Sequence, residues 1–232
     1  MTSYLFPPPV VPSLAILGDE RRYAVRRIFC VGRNYEDHAR EMGHLVDREK
    51  PFYFSKSATA LRESGETIGY PPGTTNFHFE VELVVALGAP TFKIAASDAL
   101  GSVFGYACGL DMTRRDLQLS ERAKQRPWTL GKDVEGGAPT SPVAPVSRIG
   151  HPSSAAITLR QNGVERQSSN ISELVWSVPE IISHLSGFYH LGAGDLIFTG
   201  TPAGVGPVET GDRLDGAIEG IGALTTLIGP AE

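Results

Sequence analysis

Glycine and proline constrain this chain more than any other feature. There are 26 glycines and 17 prolines among 232 residues, against roughly 12% for the two together in ordinary globular chains. Each proline fixes φ and removes a backbone donor, and glycine favours turns over helix interiors. A chain punctuated this often predicts many short strands rather than a helical bundle. The prolines at Pro7, Pro8, Pro9 and Pro12 predict an extended lead-in over residues 1–24, ahead of a single domain over 25–232. No repeat, low-complexity tract or linker divides that domain.

Composition then narrows the function classes. Hydrophobic residues make up 41% of the chain and charged residues 20%, which supplies a core and excludes an intrinsically disordered chain. The 21 basic and 26 acidic side chains leave a net charge of −5. No basic surplus exists to neutralise phosphates, so a nucleic-acid partner is not expected. No apolar run approaches the ~18 residues of a membrane span, and the first residues lack the regions of a secretory signal. Cys30 and Cys108 each sit in an apolar run, which predicts buried, reduced thiols. A soluble cytoplasmic protein without membrane contact follows as the expectation.

Local patterns place the elements. Arg26 to Val31 and Phe52 to Phe54 read as strands, and Tyr35 to about Met42 as a helix with Asn34 as its N-cap. The clearest strand runs from Phe79 to Leu87, with Phe79, Val81, Leu83 and Val85 on one face and Glu80, Glu82, Val84 and Ala86 on the other. Val103 to Leu110 is a further strand, and Thr113 to Lys124 reads as a helix. Asn162-Gly163 between two alternating runs predicts a type I′ hairpin. Ser177 and Glu180 form a capping box that opens a helix, and Leu196 to Thr199 reads as a strand.

Glu80 and Glu82 on one strand face sit about 6.6 Å apart along the strand, from ~3.3 Å per residue. Like charges held so close need something positive between them. A hard divalent cation fits all-oxygen donors, with Asp111 at the end of the next apolar strand as a third ligand. On the strand alone, a solvent-facing surface of alternating glutamates is the commoner explanation. His38 and Glu41 lie three apart on the short helix, a spacing that lets a carboxylate orient an imidazole to activate water. An ordinary exposed pair has the same spacing.

The run Thr199-Gly200-Thr201-Pro202-Ala203-Gly204-Val205-Gly206 is not a nucleotide-binding loop, because no helix follows it and Pro207 ends it. It reads as a tight strand-to-loop turn whose backbone N–H groups and Thr201 hydroxyl suit a carboxylate or oxyanion. No GxSxG elbow occurs, which disfavours a serine hydrolase.

Six segments taken in order resemble the fumarylacetoacetate hydrolase superfamily from about Val25 onward. They are Cys30-Val31-Gly32-Arg33-Asn34-Tyr35 with His38 and Glu41; Glu80-Val81-Glu82-Leu83; Gly109 to Gln118; Pro127-Trp128 followed by Lys132; Trp176 to Ile182; and Gly194 to Pro202 with Gly206-Pro207. Together they favour the ligand reading of Glu80 and Glu82 over the wet-face one. Within the superfamily the chain looks most like the acylpyruvate hydrolases that cleave fumarylpyruvate in gentisate-type aromatic catabolism. Tyr4-Leu5-Phe6, Gly43-His44 and the Trp176 segment carry that finer resemblance.

The resemblance implies an α+β, mostly β fold, a mixed roll or sandwich with a few flanking short helices, and a homodimer. It implies Glu80, Glu82 and Asp111 as ligands of Mg²⁺ or Mn²⁺, with Ca²⁺ as a possible substitute. It also implies His38 and Glu41 as a catalytic dyad on a lid, and Lys132 beside metal and substrate. Arg115, Gln118 and Thr201 would contact a small oxo-acid. Glu135, Phe79 and Ser57 depart from the family pattern. The activity implied is hydrolysis of fumarylpyruvate to fumarate and pyruvate. The alternatives are oxaloacetate decarboxylation, isomerisation or hydration of a dienoic oxo-acid, and a non-catalytic metal-dependent oxo-acid binding domain.

Overall fold

The computed structural model describes residues 3–43 and 48–231; His44 therefore lies outside the described residues. An eight-stranded mixed sheet forms the centre. Its order is Phe52–Lys56, Arg27–Gly32, Asp195–Phe198, Val81–Leu87, Val103–Leu110, Ala138–Thr140 and Leu61–Glu63, with Ala144–Pro145 also pairing along Val103–Leu110. A five-stranded sheet runs Val164–Asn170, Ala156–Gln161, Arg213–Ile218, Gly222–Ala231 and Thr67–Tyr70. A small third sheet joins Thr113–Arg114, Phe77–Phe79 and Gly206–Pro207. The short helices are Glu36–Glu41, Arg115–Ala123, Thr129–Lys132, Val146–Ile149 and Val178–Ser186. These are the many short strands that the glycine and proline content predicted, in the mostly β architecture with few short helices that the resemblance implied.

The central strand Val81–Leu87 is buried along its whole length. Val81, Leu83 and Val85 join one core cluster with Ile157, Leu159, Leu214 and Leu224 of the second sheet. Val84 and Ala86 join a second cluster with Ile28, Cys30, Leu196 and Phe198. Two dry faces leave no wet surface for alternating glutamates to occupy. Gly109, opposite Glu82 in the register, has no room for a side chain. A Cβ there would come within 2.6 Å of Val84 and 2.7 Å of Phe198.

Four expectations need correction. The lead-in ends at residue 12, because Ser13–Ile16 and Asp19–Ala24 pair as a hairpin. Leu14 and Tyr23 of that hairpin cover the second core cluster, so apolar burial gives the segment a place in the fold. Asn34 is not the helix cap; Tyr35 is. Asn34 is fully buried and ties two distant segments, donating to the Trp176 and Thr199 carbonyls at 3.0 and 2.8 Å and accepting from the Trp176 N–H at 2.7 Å. The Phe79–Leu87 strand is interrupted at Glu80, where the chain passes from the small sheet to the central one. Thr113 and Arg114 pair with His78 and Phe77, so that helix begins at Arg115. The Asn162-Gly163 turn forms as expected, with φ of 54° and 81°, and Ser177 precedes its helix. Cys30 and Cys108 are free and buried.

Candidate metal centre and active site

Two segments deliver the carboxylates. Glu80 and Glu82 flank Val81 where the chain enters the central sheet, and Asp111 follows the neighbouring strand Val103–Leu110. The Asp111 N–H donates to the Glu80 carbonyl at 2.8 Å, which locks the two segments together. One carboxylate oxygen of each residue lies within 4.8 Å of the others, and all three residues are buried. Two oxygens on one ion stand at most about twice the metal–oxygen distance apart, roughly 4.2–5.2 Å for Mg²⁺ to Ca²⁺. The spacing therefore fits one ion.

The charges around them are three cations. Lys132 Nζ lies 2.6 Å from Glu80 and 2.6 Å from Asp111; Arg115 pairs with the other Glu80 oxygen; and Lys56 Nζ lies 2.9 Å from Asp111 Oδ1. Glu82 has no cationic partner among the described residues, only the Gly200 N–H at 2.8 Å. Burial, then Asp111 and Glu80, push the Glu82 carboxyl well above the usual carboxylate range. Glu80 behaves oppositely: burial opposes its charge, yet Lys132 and Arg115 hold it well below that range. Burial works against the Lys132 ammonium too, but Asp111 and Glu80 outweigh it and raise its pKa. Asp111 Oδ1 accepts no hydrogen bond of good geometry despite the nearby Lys56. A buried carboxylate without a cation, beside an Asp111 oxygen that accepts no well-aligned hydrogen bond, fits an all-oxygen site for Mg²⁺ or Mn²⁺.

His38 comes to this cluster from the Glu36–Glu41 helix. Its Nδ1 stands 3.1 Å from Glu41 Oε2. Glu41 Oε1 in turn accepts from the Gly204 N–H at 3.1 Å. Burial pulls the Glu41 carboxyl upward, but His38 and the Gly204 N–H together hold it below the ordinary value. Of the nine candidate catalytic, ligand and substrate-contact residues, all except Glu41 line one small cavity of about 40 Å³. Arg115 there donates to Gln118. Thr201 Oγ1 accepts from Gln167 at 2.8 Å.

The glycine-rich turn does receive carboxylates on its N–H groups, but they are the protein's own Glu82 and Glu41. At Gly204, φ is +97° and a Cβ would stand 2.1 Å from the Arg166 carbonyl. Glycine is therefore required for the N–H to face Glu41. None of the three departing positions lines the cavity. Phe79 is core, Ser57 caps the short turn Ala58–Ala60 and donates its N–H to Asp133 at 2.7 Å, and Glu135 is exposed.

Lys56 and Gln167 went unassigned in the sequence. Lys56 is 3% exposed, and besides Asp111 it donates to the Met112 and Lys132 carbonyls. Its signal was available: period two puts Lys56 on the same strand face as Phe52 and Phe54, a charge in an apolar row. Gln167 bridges the Val81 N–H, Thr201 and the Pro202 carbonyl at 2.9, 2.8 and 2.8 Å. Nothing in its surroundings in the sequence marks it.

With this geometry in view, the comparisons fall on one family. The fumarylacetoacetate (FAA) hydrolase C-terminal family matches residues 27–228, and the chain belongs to it. A fumarylpyruvate hydrolase from a Ralstonia species is 51% identical over 193 residues, covering 82% of this chain and all of the relative. The crystal structure of fumarylpyruvate hydrolase from Pseudomonas aeruginosa, in complex with Mn²⁺ and pyruvate, superposes with a TM-score of 0.96. It is 48% identical and covers 99% of this chain and 100% of that one. The human mitochondrial oxaloacetate tautomerase FAHD1 is 41% identical over 200 residues, covering 86% of this chain and 90% of the relative.

Proposed function

We propose that this chain is a divalent-metal-dependent acylpyruvate hydrolase whose substrate is fumarylpyruvate, cleaved to fumarate and pyruvate. The observation that carries the reading is that His38, held through Nδ1 by Glu41, meets a three-carboxylate cluster at a single cavity. The full-length likeness to a fumarylpyruvate hydrolase supports it. Glu80, Glu82 and Asp111 would hold the ion. A bound divalent cation supplies a Lewis acid for the carboxylate and 2-oxo group of the substrate. As built, three carboxylates face three cations, so an added divalent ion leaves a doubly positive centre suited to an anionic oxo-acid.

The residues then divide the work. Glu41 fixes His38 through Nδ1, leaving Nε2 to take a proton from water. The resulting hydroxide adds to the C4 carbonyl carbon. The C3–C4 bond breaks, its electron pair passes to the pyruvate fragment as an enolate, and C4 leaves as the carboxyl of fumarate. Lys132 and Arg115 put positive potential where that negative charge develops. The proton held by His38 balances the step when C3 is protonated to give pyruvate. Gln118 and Thr201 line the oxo-acid end.

Purified protein with Mn²⁺ should remove the ultraviolet absorbance of fumarylpyruvate and yield fumarate and pyruvate in equal amounts, and EDTA should stop it. No loss of absorbance overturns the reading. The oxaloacetate tautomerase relatives favour a second reading, proton transfer on oxaloacetate without bond cleavage. Enol absorbance and pyruvate release from oxaloacetate, run in parallel, separate tautomerisation from decarboxylation.

The same reading places the enzyme in gentisate-type aromatic catabolism, in the cytoplasm, as a homodimer. The free buried cysteines support a reducing compartment. No described helix is long and apolar enough to cross a membrane. Leu5, Phe6 and Val10 are 91%, 76% and 91% exposed, apolar surface that a second copy would cover.

A further inference from the structure

A larger cavity of about 620 Å³ opens beside the carboxylate cavity. The two share Gly32, Arg33, Phe54, Arg122, Trp128 and Lys132 as common wall. Its sides are aromatic: the Trp128 ring lies 4.9 Å from Phe52 and 6.0 Å from Phe54, centroid to centroid. Its charged groups are almost all positive. Arg33, Arg122, Arg126 and Lys50 line it against one acid, Asp133, whose Oδ1 is already occupied by the Ser57 N–H at 2.7 Å. In a chain of net charge −5, this is a local inversion of sign.

Two of those cations stand out. The Arg33 guanidinium lies over the faces of Phe52 and Trp128, 5.8 and 5.9 Å from their centroids. Its backbone adopts φ of 57°, a left-handed conformation that a non-glycine residue seldom takes without cause. Among the described residues, no salt bridge joins Arg33 or Arg122 to a carboxylate. Burial and the charge of Arg122 both lower the pKa of Arg33, so the two guanidiniums share one region with no anion between them. Such a pair is a ready receptor for a planar carboxylate.

Resting on the acylpyruvate reading above, we infer that this cavity receives the acyl arm of the substrate and that Arg33 and Arg122, on the wall it shares with the carboxylate cavity, bind the carboxylate that ends the arm. The class selected is a 2,4-dioxo acid whose acyl group is flat, conjugated and terminated by a second carboxylate. The aromatic walls suit the flat enoyl segment, and the paired arginines suit its charged terminus. Lys132 at the shared wall marks where the arm leaves the reacting carbons.

The test compares kcat/KM for fumarylpyruvate with that for acetylpyruvate, whose acyl arm is a bare methyl, in the Mn²⁺-loaded wild type and in Arg33→Met and Arg122→Met. A hydrogen bond to a charged group is worth ~1.5–3 kcal/mol, so the fumarylpyruvate-to-acetylpyruvate ratio should fall roughly 10- to 100-fold in each variant. Arg33→Lys should recover part of it. Because the ratio is taken within one protein, a partly unfolded preparation does not alter it. A ratio within about twofold of wild type in both variants overturns the assignment while leaving the hydrolase reading standing. Wild-type protein that hydrolyses neither substrate overturns both. Inhibition gives a variant-free check: fumarate should compete at least tenfold better than crotonate, which keeps the trans-enoyl group but lacks one carboxylate. Equal inhibition overturns the assignment.

Discussion

The Glu80–Glu82–Asp111 cluster and His38, with Glu41 behind it, meet at one cavity, yet the two halves are anchored in opposite ways. The carboxylates sit at the ends of adjacent strands whose both faces are packed; cations at 2.6–2.9 Å brace Glu80 and Asp111, and the Gly200 N–H holds Glu82. His38 and Glu41 ride on a six-residue helix whose other charged side chains are largely in solvent: Glu36, Asp37 and Arg40 are 64%, 72% and 63% exposed. The Gly204 N–H is what ties Glu41 to the rest of the site. The carboxylate half is thus part of the core, and the His38–Glu41 half is an attachment to it. Substitutions should pull the two apart.

The largest effect is expected at Glu80. Glu80→Ala removes a candidate ligand and also leaves Lys132 and Arg115 buried with one carboxylate fewer. Breaking a buried ion pair costs ~3–5 kcal/mol, so urea unfolding should shift by about that much. Mn²⁺ affinity should fall more than roughly 100-fold, with turnover at background. A variant that keeps wild-type stability would show that the cluster is not integral to the core.

Next comes His38→Ala, expected to lower kcat by roughly 10²- to 10⁴-fold, the usual size of a general-base contribution. Mn²⁺ affinity by titration calorimetry and the melting temperature should stay near wild type. Parallel loss of Mn²⁺ binding would break the comparison, because it would make the helix part of the ion site.

A smaller effect is expected at the tether. Gly204→Ala drives a Cβ into the Arg166 carbonyl and should pull the N–H away from Glu41. Loss of a charged hydrogen bond of ~1.5 kcal/mol corresponds to about tenfold in kcat. The pH profile adds an independent sign. Glu41 is held below its ordinary value partly by that N–H, so its loss raises the folded-state pKa. The active ionised form is then lost earlier as pH falls, and the acid limb should move to higher pH. An unmoved limb would mean that Gly204 does not position Glu41.

The same contrast explains what the sequence disclosed. Glu80, Glu82 and Asp111 stood out as polar residues beside apolar strand positions, but period two alone left a wet strand face the commoner explanation, and only the six-segment resemblance favoured the ligand reading. Lys56 was legible by the same logic but was overlooked, since one lysine at a strand end ordinarily points to solvent. Gln167 and the N–H groups of Gly200 and Gly204 were not legible as partners. They reach Val81, Glu82 and Glu41 from segments more than eighty residues away in the chain, and only the tertiary fold creates those contacts. Asn34 shows a local rule overridden: its side chain suits an N-cap, but satisfying the buried Trp176 and Thr199 backbone groups takes precedence. The hairpin over residues 13–24 was hidden behind the prolines that precede it.

The smallest expected effect sharpens where the functional face of the helix ends. Arg40 pairs with Glu36 at 2.9 Å and with Asp37 at 2.6 Å, and all three belong to the same helix. Exposed pairs at these spacings contribute ~0.2–0.5 kcal/mol each, and salt screens them further. Arg40→Ala should therefore change stability by less than about 1 kcal/mol and leave kcat within roughly twofold, with the residual stability difference vanishing in high salt. His38 and Ala39 are the buried residues of this helix, so what holds it against the protein is their packing together with the Glu41 tether. A tenfold loss of kcat in Arg40→Ala would mean that solvent-facing charge helps seat the helix, and the attachment would then extend around its whole circumference.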